Sequence, residues 1–394
     1  MIRLLLTARA LRAFADGFVA VLLPAYLLAL GHGQLQVGLL STVTLLGSAL
    51  VTLAVGRWGH RFALRRLLLI AAVSMTLTGL GFASLTALWP LLLVAFMGPL
   101  NPSGGDVSIF LPLEHTMLAG AATSESRTTV FARYSFVGSI FAAIGALAAA
   151  VPEWLTSAIG WPLLDSLRAM FIAYAAIGAL VWCLYLRMPV APKNEAATAP
   201  VPLGPSRARV WRLAALFSVD SFAGGLVVNA LLALWLFERF GMSLATAGAV
   251  FFWTGLFSAA SQLAAPALAK RIGLINTMVF THIPASLCLI AAAFASSLPV
   301  ALGLLLLRSA LSQMDVPARS AFVMSVVTPA ERPAAASFTS VPRSLASAIS
   351  PTITGALFAA GAMATPLVAC GVLKIAYDIA LFVAFRKTEA RDRG

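Results

Sequence analysis

Charge is what this chain has least of. Asp, Glu, Lys and Arg make up 10% of its 394 residues, where a soluble domain carries about 25%. Acids are the scarcer sign, 14 against 27 Lys and Arg, for a formal charge of +13 at pH 7. There are four histidines, with no metal-ligand spacing, and three cysteines. Cys183, Cys288 and Cys370 each sit in a separate apolar run, so they read as small core residues and not as disulfides. The sequence holds no HExxH, CxxC, GxSxG or GxxxxGK. The signatures of zinc peptidases, serine hydrolases and phosphate-loop ATPases are therefore missing. No enzyme activity, cofactor or resident metal is expected.

Long apolar runs are what it has instead. Hydrophobic residues make up 60% of the chain and mean hydropathy is +0.94. The runs do not alternate with period two, which excludes an outer-membrane barrel. They predict an all-α polytopic membrane protein with twelve spans, about 7–30, 37–56, 65–86, 89–118, 129–151, 166–187, 210–237, 244–268, 274–296, 299–327, 334–360 and 364–386. Most are long enough to cross a core of roughly 30 Å at about 1.5 Å per residue. The first run is broken by Asp16 and lacks a cleavage site, so it reads as a retained span and not a signal peptide. If the N-terminus is cytoplasmic, nearly all Lys and Arg of the loops fall on the inner face, and only Arg168 and Arg239 lie outside. That asymmetry predicts a cell inner membrane protein with both termini cytoplasmic. The lipid bilayer explains the positive charge; no nucleic-acid motif is present.

Residues 188–209 are rich in Pro and Ala and read as a cytoplasmic linker between bundles at 1–187 and 210–394. The two bundles repeat. ADGF at 15–18 matches VDSF at 219–222, and GGDVSIF at 104–110 matches QMDVPAR at 313–319. GHRFALRR at 59–66 matches AKRIGLIN at 269–276, and SESRTT at 124–129 matches PAERPA at 329–334. Four matches in one order indicate duplication. Parallel repeats about an axis along the membrane normal mark one large transporter architecture.

The segment GRWGHRFALRR, 56–66, resembles the loop signature of the major facilitator superfamily: Gly56, Arg61, Arg65 and Arg66 match it, while His60 stands where Asp is usual and Ala63 where Gly is usual. The resemblance covers essentially the whole chain. It implies two pseudo-symmetric six-helix bundles working by alternating access, around a cavity lined by the first, fourth, seventh and tenth helices. The antiporter signature of the fifth helix is absent, with Gly138 and Gly145 its only echo.

Those four helices carry Asp16, Asp106, Asp220 and Asp315, two repeat-related pairs of titratable acids in apolar surroundings. Arg308, Asp315 and Arg319 fall within roughly 40° of one another on an ideal helix, and such a stripe must face protein or water. Arg343 is a further buried cation. Pro99, Pro102, Gly104 and Gly105 predict a break in the fourth helix, and Pro317 one in the tenth. Arg12 and Arg9 lie on the face of Asp16, so an Arg–Asp pair is the plain reading there. Lys374 and Asp378, four apart, read as a structural pair. His32, His115 and His282 read as satisfied histidines. At the inner face, Gly56, His60, Arg61, Arg65, Glu125, Arg127, Lys270, Arg271, Glu331 and Arg332 form either a cytoplasmic gate or simple caps. Thr328, Pro329 and Glu331 fit a capping box.

The expectation is a monomeric secondary transporter that moves a small-molecule organic solute, coupled to protons through Asp315 or Asp106, in the export direction. Organic-anion uptake, metal-ion efflux and a non-transporting membrane receptor or scaffold remain alternatives.

Overall fold

The computed structural model describes residues 1–103, 108–121, 127–189, 203–328 and 331–391. Asp106 and Glu125 lie outside these residues, as do the side chains of His60 and Arg127. The described chain is helical throughout: α1 (Ile2–Ala29), α2 (Gln34–Trp58), α3 (Leu64–Ser84), α4 (Leu88–Met97), α5 (Phe110–Ala121), α6 (Arg127–Leu147), α7 (Val151–Ile159), α8 (Leu163–Leu186), α9 (Arg207–Gly225), α10 (Asn229–Phe240), α11 (Leu244–Ile272), α12 (Leu274–Ala293), α13 (Leu298–Ser312), α14 (Asp315–Ser325), α15 (Arg332–Ala359) and α16 (Thr365–Arg391). Ten stretches among the described residues are long and apolar enough to cross a membrane. The fourth predicted span falls short because it is split into α4 and α5. The eleventh, α15, has the length but is threaded with Ser and Thr. Large apolar side chains stay uncovered on outer faces, with Leu77 60%, Phe294 67% and Val383 67% exposed. Such surface suits hydrocarbon.

Three predicted spans are broken. The fourth breaks between Met97 and Phe110, where the Pro and Gly residues foretold it. The tenth breaks at Gln313 and Met314, before Asp315 and not at Pro317. Pro317 sits in the first turn of α14, where an N–H has no helical partner and its loss costs little. The seventh breaks at 226–228, which was not foreseen.

The chain forms two compact units. The first holds residues 1–197 and also 228–252, a hairpin of α10 and the start of α11 that was expected in the C-terminal bundle. Here α1 packs on α6, α8 and α10, and α3 on α8. Glycine allows the α1–α6 approach: a Cβ on Gly17 would collide with the Ala142 carbonyl, and one on Gly145 with the Phe14 backbone. Gly138 leaves room for the Arg9 guanidinium. The two glycines of the supposed antiporter echo thus have packing reasons to be glycine. The hairpin is held by backbone donors. Ala230 N–H donates to Pro102 O at 3.0 Å. The N–H groups of Leu244 and Ala245 donate to the Glu153 carboxylate at 2.6 and 3.0 Å, which caps α11.

The second unit holds 198–227 and 253–394. There α15 packs on α9, and α12 on α13, α14 and α16. Its core joins Phe217, Met278, Phe322, Tyr377 and Phe385.

Candidate functional site

The second unit carries a continuous chain of buried ionisable groups. Asp220, on α9, accepts from Lys374 Nζ at 2.7 Å and from Arg319 Nη1 at 2.9 Å. Arg319, on α14, also reaches Asp315 one turn back, Nη2 to Oδ2 at 3.2 Å. On the other side Lys374, on α16, lies 3.3 Å from His282 Nε2 on α12, and His282 Nδ1 lies 3.1 Å from both Asp378 oxygens. An ammonium has no acceptor, so Nε2 accepts and the ring proton sits on Nδ1, donated to Asp378. The order is Asp378, His282, Lys374, Asp220, Arg319, Asp315, all buried apart from Lys374, which is partly so. Four helical segments supply it. Charges at this depth are expensive unless paired, and here each carboxylate is.

Several expectations change. Lys374 and Asp378 do not bond each other: Lys374 donates to Asp220, and Asp378 meets His282. Four-residue spacing puts them on one side of α16, but two neighbouring helices offer closer groups. His282, read as a bland histidine, is the link between them. Arg308 does not join the stripe: the break at Gln313 and Met314 ends the helix on which the angular reckoning rested. It is half-buried, close to the thiols of Cys288 and Cys370, with no ion pair among the described residues. Asp315 opens α14, where a helix N-terminus favours a carboxylate. Arg343, on α15, donates from Nε to Ser221 Oγ at 3.0 Å.

The first unit has its own buried acid, which the sequence reading passed over. Glu114, on α5, is fully buried. It accepts from Arg12 on α1, from the Tyr134 hydroxyl on α6 and from the Tyr185 hydroxyl on α8, the last at 2.6 Å. Arg12 also stacks 4.0 Å over the Phe110 ring. The salt bridge of Arg12 is thus to Glu114. Asp16 is half-buried on α1. A cavity of about 480 Å³ opens between α2, α3 and α4, lined by Ser48, Ile70, Leu77, Thr78, Leu93 and Met97 among others. Among the described residues, no ionisable side chain lines it.

Of the inner-face residues, Arg65 and Glu331 act on helix ends. Arg65 donates to the Tyr185 and Leu186 carbonyls and closes the end of α8. Glu331 does not serve the box expected at α15. It accepts from Gly204 N–H at 2.6 Å, Ser206 Oγ at 2.7 Å and Thr328 Oγ1 at 2.7 Å, and so fastens the start of α9. Thr328 and Ser206 hold its carboxyl down to about 2. Arg61, Lys270, Arg271 and Arg332 are exposed, and Gly56 has open space at its Cβ position. None of the four forms a salt bridge among the described residues.

An all-helical chain with membrane-length apolar segments, broken helices and a buried ionic chain is the build of a membrane transporter. The family model described as Major Facilitator Superfamily matches residues 5–314 and 213–394, and the chain belongs to that superfamily. An uncharacterized membrane protein of Saccharomyces cerevisiae is 23% identical over 99% of this chain and 95% of its own. Among solved structures, the nucleoside transporter NupG aligns with a TM-score of 0.73 at 16% identity, covering 98% of both chains. A bacterial homolog of the human lysosomal transporter Spinster, in an inward-facing and occupied conformation, gives 0.75 at 17% identity, covering 98% of this chain and 96% of its own. A D-xylose–proton symporter gives 0.75 at 15% identity, covering 97% and 96%.

Proposed function

We propose that this protein is a proton-coupled secondary transporter of a small organic solute, working by alternating access in the cell inner membrane as a monomer. The observation that carries the reading is the shared guanidinium of Arg319. It binds Asp220 at 2.9 Å and Asp315 at 3.2 Å. Asp220 keeps a second cation, Lys374, whereas Asp315 has Arg319 alone among the described residues. A proton on Asp315 would release Arg319 wholly to Asp220, and a shift of Arg319 toward Asp220 would leave Asp315 ready for a proton. Protonation and side-chain arrangement are thereby linked, which is what coupling needs. The D-xylose–proton symporter on the same fold supports the choice of ion. Export is the direction we assign, on the resemblance alone; everted membrane vesicles energised by respiration should accumulate the solute.

Asp315→Asn keeps size and hydrogen bonding but removes the titration. In proteoliposomes, solute movement driven by a pH gradient should fall to background, while exchange of labelled for unlabelled solute continues. Unchanged pH-driven movement would remove Asp315 from the mechanism.

A further inference from the structure

We propose that the transported solute is a small organic anion, its carboxylate or phosphate gripped by Arg343. The inference rests on the transporter reading above and narrows it to a substrate class.

Helix α15 presents different chemistry around its circumference. Phe338, Ile349 and Ile353 are exposed along one side, the side suited to lipid. Ser350 and Thr354 are fully buried, and the Thr354 hydroxyl donates to the Leu226 carbonyl at 2.8 Å. On the side opposite the apolar strip lie Ser340, Ser344 and Ser347, a helical stripe by their spacing. All three are at least partly open. Arg343 borders this stripe. It lies eleven residues past the start of the 28-residue α15, about 16 Å along the axis, well inside the helix and away from both its ends. A row of open hydroxyls and a guanidinium at that depth, turned from the apolar strip, belongs to a water-filled path.

Charge makes the case specific. At membrane depth the second unit holds four cations, Arg308, Arg319, Arg343 and Lys374, against three carboxylates, Asp220, Asp315 and Asp378. Every one of the carboxylates is already engaged, by Arg319, Lys374 or His282. Arg343 has Nε on Ser221 and no ion pair among the described residues. Its two terminal nitrogens have no hydrogen-bond partner there either. Arg343 and Arg319 also share the Phe217 ring, at 6.0 and 5.7 Å from its centroid, so two like charges sit close, and of the two only Arg319 makes ion pairs among the described residues. A guanidinium without an ion pair at the edge of an aqueous path suits an anion. Its planar fork fits carboxylate or phosphate in a bidentate manner, and it is the donor of this face, since the Ser340, Ser344 and Ser347 hydroxyls donate to backbone carbonyls of α15.

The test loads proteoliposomes with an equimolar mixture of small carboxylates, phosphate monoesters, neutral sugars, nucleosides and primary amines. A pH gradient is imposed, and released compounds are identified by mass spectrometry. Anions should leave selectively, and whether carboxylates or phosphate esters lead tells which anion the fork takes. Arg343→Gln should lower that release roughly ten- to a hundredfold, the loss of one charge-assisted pair, while Arg343→Lys keeps a measurable part. Size-exclusion profiles establish that both variants are folded; should Arg343→Gln fail to fold, the comparison of Arg343→Lys with wild type stands in, and equal anion release would count against the grip. Release of neutral or cationic compounds alone, or anion release unaltered by Arg343→Gln, overturns the anion site and leaves the transporter reading standing. No release of any compound from wild type overturns the transporter reading, and the anion site with it.

Discussion

Asp220 answers to two cations and Asp315 to one, and the shared one is Arg319. Substitutions at these positions therefore cannot be read singly. Arg319→Gln is no clean rescue for a change at Asp315, because it strips Asp220 as well. Lys374 offers a better cycle. Asp220→Asn leaves the ammonium of Lys374 buried without its carboxylate and should lower stability by about 3–5 kcal/mol, the usual cost of breaking a buried pair. Lys374→Gln should cost a similar amount, and the double variant should recover much of it. Thermal unfolding of the four proteins in nanodiscs measures the coupling. Strict additivity would mean that the 2.7 Å contact contributes nothing of its own.

Among the helices, α9 begins where Glu331 accepts two hydroxyls and two backbone N–H groups. Its carboxyl is held near 2, below its usual 4.5. A depressed carboxyl adds stability above its unfolded value, and that contribution is lost as pH falls toward the folded value. Wild type should therefore lose stability relative to Glu331→Gln as pH drops from about 5 to about 2. Parallel melting curves across that range would show that Glu331 does not titrate as described. The elements themselves were largely legible. Apolar runs located the spans, and Pro99 with Pro102 located the break in the fourth helix. The break at 226–228 was not read, although Gly224 and Gly225 precede it. Gly225 has no room for a Cβ because Ser347 and Ser350 of α15 press on it, a fact of packing that composition does not carry. The site was legible by member and not by pairing. Asp220, Asp315, Arg319 and Lys374 stand out as charges in apolar runs. Their partners lie up to 154 residues away, and spacing along one helix pointed Lys374 to the wrong acid. His282 reads as a satisfied histidine because single polar residues are usually incidental, and nothing along the chain marks Glu114, whose partners lie on three other helices.

For the molecule as a whole, the important feature is that residues 228–252 belong with the first unit while the chain on either side of them belongs with the second. Duplication and linker composition predicted a single crossing near 188–209. Among the described residues, the chain passes between the compact units at 227/228 and again at 252/253. The gene's C-terminal half thus encodes a piece of the N-terminal half's interior: Trp235 is fully buried there, and Glu153 waits at the other side for the N–H groups of Leu244 and Ala245. In effect each molecule performs a segment exchange with itself. Two polypeptides cut within the linker, 1–197 and 198–394, would consequently be incomplete on opposite sides, the first missing a wedge and the second carrying it unsheathed. Co-expressed, they should copurify as a reassembled protein, and Glu153→Ala in the first fragment should weaken that recovery. Fragments that copurify equally well after deletion of 228–252 would show that the wedge is not what joins them.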